Sequence, residues 1–104
     1  MHTTVRFGAA LIGLFGAVAL VQAQDANLAR NLAATCANCH GTNGLARGDM
    51  KPLAGMAADK LTAMLNDFKS GAQPASIMHQ ISKGYTEEQL KLIASYFAAQ
   101  KPRQ

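Results

Sequence analysis

The sequence predicts a small all-α domain of three to four helices joined by glycine-rich loops. Three observations predict it. Apolar residues recur three and four positions apart along the second half of the chain, and no stretch of useful length alternates in the manner of a strand. Helix-starting and helix-stopping residues bracket those stretches. Glycines and Pro52 gather between them, four of the glycines within residues 41–55. Helices so connected pack as a compact all-helical unit.

Taken in order, residues 1–23 read as a secretory leader. Arg6 gives a positive start, residues 7–21 are uncharged and largely apolar, and Val21-Gln22-Ala23 has the small or β-branched residues of a cleavage site. Fifteen helical residues reach only about 22 Å, short of the roughly 30 Å of a membrane's hydrocarbon, so a cleaved leader is expected over an anchor. The mature domain is then 24–104, with no membrane span left and a periplasmic location. Residues 27–35, with Leu28, Ala29, Leu32 and Ala33, suit a helix running into Cys36. Residues 41–55 read as a loop. A helix follows, with Asp59 as expected N-cap, an apolar stripe of Leu61, Met64, Leu65 and Phe68, Lys69 in the last turn and Gly71 just past it. A shorter helix after Pro74 carries Ile77 and Ile81 four apart and stops at Gly84. The last helix opens on Thr86 and Gln89, spaced as a capping box, and Leu90, Ile93, Ala94 and Phe97 make one stripe before Pro102.

Eighty-one mature residues suffice for one domain with a marginal core, and chains of this size usually carry a staple. The ten Lys and Arg of the full chain lose Arg6 with the leader, leaving nine against six Asp and Glu. They are scattered, which speaks against a nucleic-acid partner. The two cysteines are three apart, and a disulfide across so small a loop would constrain little of the unfolded chain. The staple is then something the cysteines hold.

Cys36-Ala37-Asn38-Cys39-His40 is the C-x-x-C-H signature of covalent haem attachment. Two thiols one short turn apart can add across the two vinyl groups of one porphyrin, and the histidine that follows is placed as an axial ligand of the iron. A thioredoxin-like pair needs a βαβ setting that this chain lacks, and a structural zinc site needs four ligands where only Cys36, Cys39, His40 and His79 are on offer. For the second axial position the mature chain offers Met50, Met56, Met64 and Met78. Met64 lies on an apolar helix stripe, as core filler does. Met50 and Met56 follow the motif closely, on its own side. Met78 comes 38 residues after His40, beyond a full helix, and can reach the opposite haem face. His79, its neighbour, is the rival.

These residues resemble class I cytochromes c of the small bacterial kind. The likeness runs through Cys36-Ala-Asn-Cys39-His40-Gly41-Thr-Asn-Gly44, Pro52-Leu53-Ala54-Gly55, Phe68-Lys69-Ser70-Gly71, Ile77-Met78, and Thr86-Glu-Glu-Gln-Leu before Tyr96-Phe97. It implies the class I cytochrome c fold, three to four helices around one covalently bound haem c. It further implies Met78 as distal ligand of the iron, a Pro52 carbonyl on the ring N–H of His40, and first and last helices that cross, pairing Leu32 and Ala33 with Ile93 and Phe97. Within that family the stretch from Phe68 to Tyr85 is similar to the haem subunits of flavocytochrome c sulfide dehydrogenases. That similarity implies a flavoprotein partner that oxidises sulfide and passes electrons on.

With both axial positions filled the iron has no open site, so the expected role is electron transfer and not catalysis by the chain alone. A free soluble shuttle serving another redox enzyme or a terminal oxidase is the alternative. A five-coordinate, ligand-binding haem protein is a third reading, and rapid carbon monoxide binding by the reduced protein would mark it.

Overall fold

The computed structural model describes residues 27–104. The expected leader lies outside them. Residues 27–33 are helical (α1) and run through a 3-10 turn, Ala34–Cys36, into the single-turn helix α2, Ala37–His40. A second 3-10 turn, Thr42–Gly44, opens the long loop. Then come α3, Ala58–Ser70, α4, Met78–Lys83, and α5, Glu87–Ala98. No strand occurs among the described residues. None of their helices is long and apolar enough to cross a membrane.

The helix signals are met by local chemistry, with two corrections. At α5 the Gln89 backbone N–H donates to Thr86 Oγ1 at 3.2 Å and the Thr86 N–H donates to Gln89 Oε1 at 2.9 Å, so the capping box is complete. At α3 the expected N-cap, Asp59, is instead in the first turn, and Ala57 caps without a side-chain bond. The carboxylate there faces the positive end of the helix dipole, which it stabilises from inside the turn as well as from the cap. Gly71 ends α3 in the left-handed conformation. The second correction concerns the shorter helix, expected to start after Pro74 and to carry Ile77: it starts at Met78. Ile77 is the N-cap of α4, and the side chains of Ile77 and Ile81 are both exposed. The inward face of α4 is one residue on, at Met78 and Ser82, where the helix packs against α3.

The core is one cluster: Ala33 of α1, Leu53 of the loop, Leu61 and Leu65 of α3, and Leu90, Ile93, Ala94 and Phe97 of α5. All four residues of the expected α5 stripe are buried. Ala33 enters the same cluster as Ile93 and Phe97, with Leu32 half-buried against it. Cys36, Met56, Met78, Tyr85 and Tyr96 pack on its margin. The haem-motif segment and the Met78 segment are therefore two walls raised on one core.

Candidate functional site

The pentapeptide lies on one continuous helical stretch. Cys36 closes the first 3-10 turn and α2 carries the rest. Residues three apart on a helix share a face, so Cys36 and Cys39 project together. Both are free thiols. Burial pushes the Cys36 thiol above its ordinary value. Among the described residues no group of three or more His, Cys, Asp or Glu side chains is assembled for a metal ion.

His40 is the last residue of α2. Its Nδ1 lies 2.7 Å from the backbone carbonyl oxygen of Lys51. A carbonyl can only accept, so Nδ1 carries the proton and donates it. Nε2 is left with its lone pair, the arrangement a metal-ligating imidazole requires. The acceptor is thus Lys51, and the expectation that Pro52 supplies this carbonyl is corrected by one residue. The two residues share the peptide unit concerned. Pro52 contributes its nitrogen, which has no N–H, and its ring confines Lys51 to extended conformations, fixing where the carbonyl points.

The loop that presents this carbonyl is pinned from both ends. The Gly44 carbonyl accepts from the N–H groups of Leu53 and Ala54, at 3.0 and 3.2 Å. The Gly55 N–H donates to the Phe97 carbonyl at 2.9 Å. Tyr96 donates its hydroxyl to Asn43 Oδ1 at 2.6 Å. Asn43 has a left-handed φ of 57°, which asparagine tolerates better than most residues. The orientation of His40 is therefore set through the loop by the end of α5.

Met78 begins α4 and is half-buried on the core margin that Cys36 also borders. His79 beside it is half-buried, and its Nδ1 is buried without a hydrogen-bond partner. Met50 is exposed, Met56 is half-buried against the core, and Met64 is half-buried on α3. Two thiols on one helical face, an imidazole with Nε2 open and a half-buried thioether on the margin of the same core are residues that suit a covalently bound haem.

Paired thiols and a preset imidazole on an all-helical scaffold define a c-type haem protein. The chain belongs to the cytochrome c family, whose profile, described as Cytochrome c, matches residues 26–101. Membership brings one covalently bound haem c and a role in electron transfer, as a carrier or subunit and not as a catalyst by itself. Among curated relatives, the cytochrome subunit of sulfide dehydrogenase from Chlorobaculum tepidum is 38% identical over 66 residues, 64% of this chain and 60% of that one. The thiosulfate dehydrogenase electron acceptor of Stutzerimonas stutzeri is 34% identical over 61% of this chain and 31% of its own length. Cytochrome c-553 of Helicobacter pylori is 33% identical over 88% of this chain and 97% of its own. The chain thus spans 60% and 31% of the first two relatives.

Proposed function

We propose that the chain moves electrons in the periplasm through one haem anchored at Cys36 and Cys39 and ligated by His40 and Met78. We further propose that it takes those electrons from a sulfide-oxidising flavoprotein. The observation that carries the site is the Nδ1-to-Lys51 hydrogen bond, which leaves Nε2 of His40 as the ligand atom beside the two thiols. The haem iron supplies a reversible one-electron change. The chain's residues would do the rest: Cys36 and Cys39 would hold the ring against loss, the Lys51 carbonyl orients the imidazole, and Met78 would supply the second ligand. A thioether opposite an imidazole raises the reduction potential relative to two imidazoles. Export rests on the leader pattern of residues 1–23, and the family match begins at residue 26, just past the expected cleavage.

Methionine ligation of ferric haem gives an absorbance band near the red end of the spectrum. That band is expected in the oxidised protein, lost in Met78→Ala and kept in His79→Ala. Loss in His79→Ala alone would hand the position to the neighbour, whose buried, unpartnered Nδ1 is the one observation in its favour.

The flavoprotein partner is supported by the likeness to the Chlorobaculum tepidum subunit. Co-purification with a flavin-containing chain, and reduction of the haem when sulfide is added to that complex, are the expected results. A free shuttle is the second reading, favoured by the near-complete alignment with cytochrome c-553 of Helicobacter pylori. A monomer that purifies alone from its native source and is not reduced by any sulfide-oxidising fraction would decide for the shuttle.

A further inference from the structure

The geometry points to Tyr85 as a positioning residue whose phenol ties the Met78 wall of the haem site to the cysteine wall. Tyr85 Oη lies 2.7 Å from Thr35 Oγ1, across fifty residues of sequence. Thr35 has one hydroxyl proton, and its Oγ1 donates to the Leu32 carbonyl at 3.2 Å. The phenol must therefore be the donor to Thr35. The result is a directed chain from Tyr85 through Thr35, one residue before Cys36, to the Leu32 carbonyl of α1.

The other end of the tie is equally fixed. The Tyr85 N–H donates to the Ser82 carbonyl at 3.3 Å, so Tyr85 continues the last turn of α4. Lys69, in the last turn of α3, donates Nζ to the Tyr85 carbonyl. Three segments meet at this residue: the approach to Cys36, the end of α3 and the end of α4.

The tie matters because α4 has little else to hold it. It is six residues long, far below the length at which a helix is stable in isolation. Its N-cap makes no side-chain bond. Ile77 and Ile81 are exposed. Ser82 is fully buried, yet its Oγ finds no partner. Packing against α3 and the Tyr85 contacts are left to place Met78. Loss of the phenol hydroxyl alone is expected to loosen Met78 against the motif while sparing the core, since the Tyr85 ring that packs on the core margin is kept in Tyr85→Phe.

This inference rests on Met78 being the distal ligand, and its test separates the two. Imidazole is titrated into the ferric holoprotein, where it competes with Met78 for the iron. A tie of this kind, a partly solvated hydrogen bond, is expected to resist imidazole about two- to fivefold. Tyr85→Phe should therefore tighten the apparent Kd for imidazole by about that factor. Thr35→Val removes the same tie and also the bond to the Leu32 carbonyl, so it should tighten the Kd at least as much, and the double variant should add nothing beyond Thr35→Val alone. Thr86→Ala is the control. It removes the α5 cap and lowers the denaturant midpoint, and should leave the imidazole Kd where it was. An unchanged Kd in Tyr85→Phe, or an equal tightening in Thr86→Ala, overturns the positioning role while Met78 ligation stands. Absence of the red band from the unsubstituted protein removes Met78 ligation, and the positioning role falls with it.

Discussion

Protein carrying both Cys36→Ala and Cys39→Ala, matured beside a working c-haem assembly system, is expected to show no haem stain on a denaturing gel. Unsubstituted protein should stain under the same conditions, because its ring stays joined to the chain when the fold is gone. Each single variant should keep a stain through one thioether, with a reduced pyridine spectrum shifted toward that of a haem with one vinyl remaining. The reason is geometric. Cys36 and Cys39 share a helical face and stand as separate thiols, so each can add to its own vinyl. Undiminished staining of the double variant would mean that the ring is attached elsewhere, and the site as described would be wrong.

Gly44→Ala is expected to cost about 3 kcal/mol or more of folding stability, a large share of the roughly 5–15 kcal/mol available to a small domain. Gly44 is buried at a φ of 76°, and a Cβ there would come within 2.7 Å of the Ala54 nitrogen and 2.9 Å of Phe97 Cδ1. Neither neighbour can yield. The Ala54 N–H is already bonded to the Gly44 carbonyl, and Phe97 is 1% exposed at the centre of the core. Gly48 isolates the two causes. It too has a positive φ, 62°, but a Cβ there meets nothing within 4 Å, so Gly48→Ala should cost only the backbone strain, about 1 kcal/mol. Denaturant midpoints of the two variants check this, and near-equal losses would contradict the steric account. Gly44→Ala should also disturb the His40 ligand, since the displaced loop carries the Lys51 carbonyl.

What the amino-acid order made readable was chemistry completed within a few residues. The C-x-x-C-H pentapeptide is one turn of helix, and its meaning follows from spacing alone. The Thr86–Gln89 box is likewise closed in four residues, and the α5 stripe needs only its own period to be seen. Misreadings arose where a neighbour across the fold decided the matter. The helix expected after Pro74 starts only at Met78, and the residues it shields are Met78 and Ser82, not the four-apart Ile77 and Ile81. The Pro52 assignment failed by one atom group, because the fold uses the carbonyl on the far side of the proline's peptide bond. Asp59 was recognised as a helix-start residue and displaced by two positions, a difference the dipole scarcely registers. The Thr35–Tyr85 and Asn43–Tyr96 bonds left no local trace at all, being pairs of ordinary polar residues fifty or more apart.

Those separations bear on the order in which the domain can be built. The thiols and the imidazole come early in the chain, and helix formation over residues 34–40 is a local event. The clamp on the 41–55 loop is not: it waits for Tyr96 and the Phe97 carbonyl, more than forty residues further along the chain. Contacts of high sequence separation form late, since their loop entropy is lost before they return anything. A chain whose α5 has yet to dock therefore displays both thiols on a local helical turn with an imidazole still free to rotate. Only the finished chain fixes the ring, so covalent capture of the porphyrin and final orientation of its ligand are separable in time.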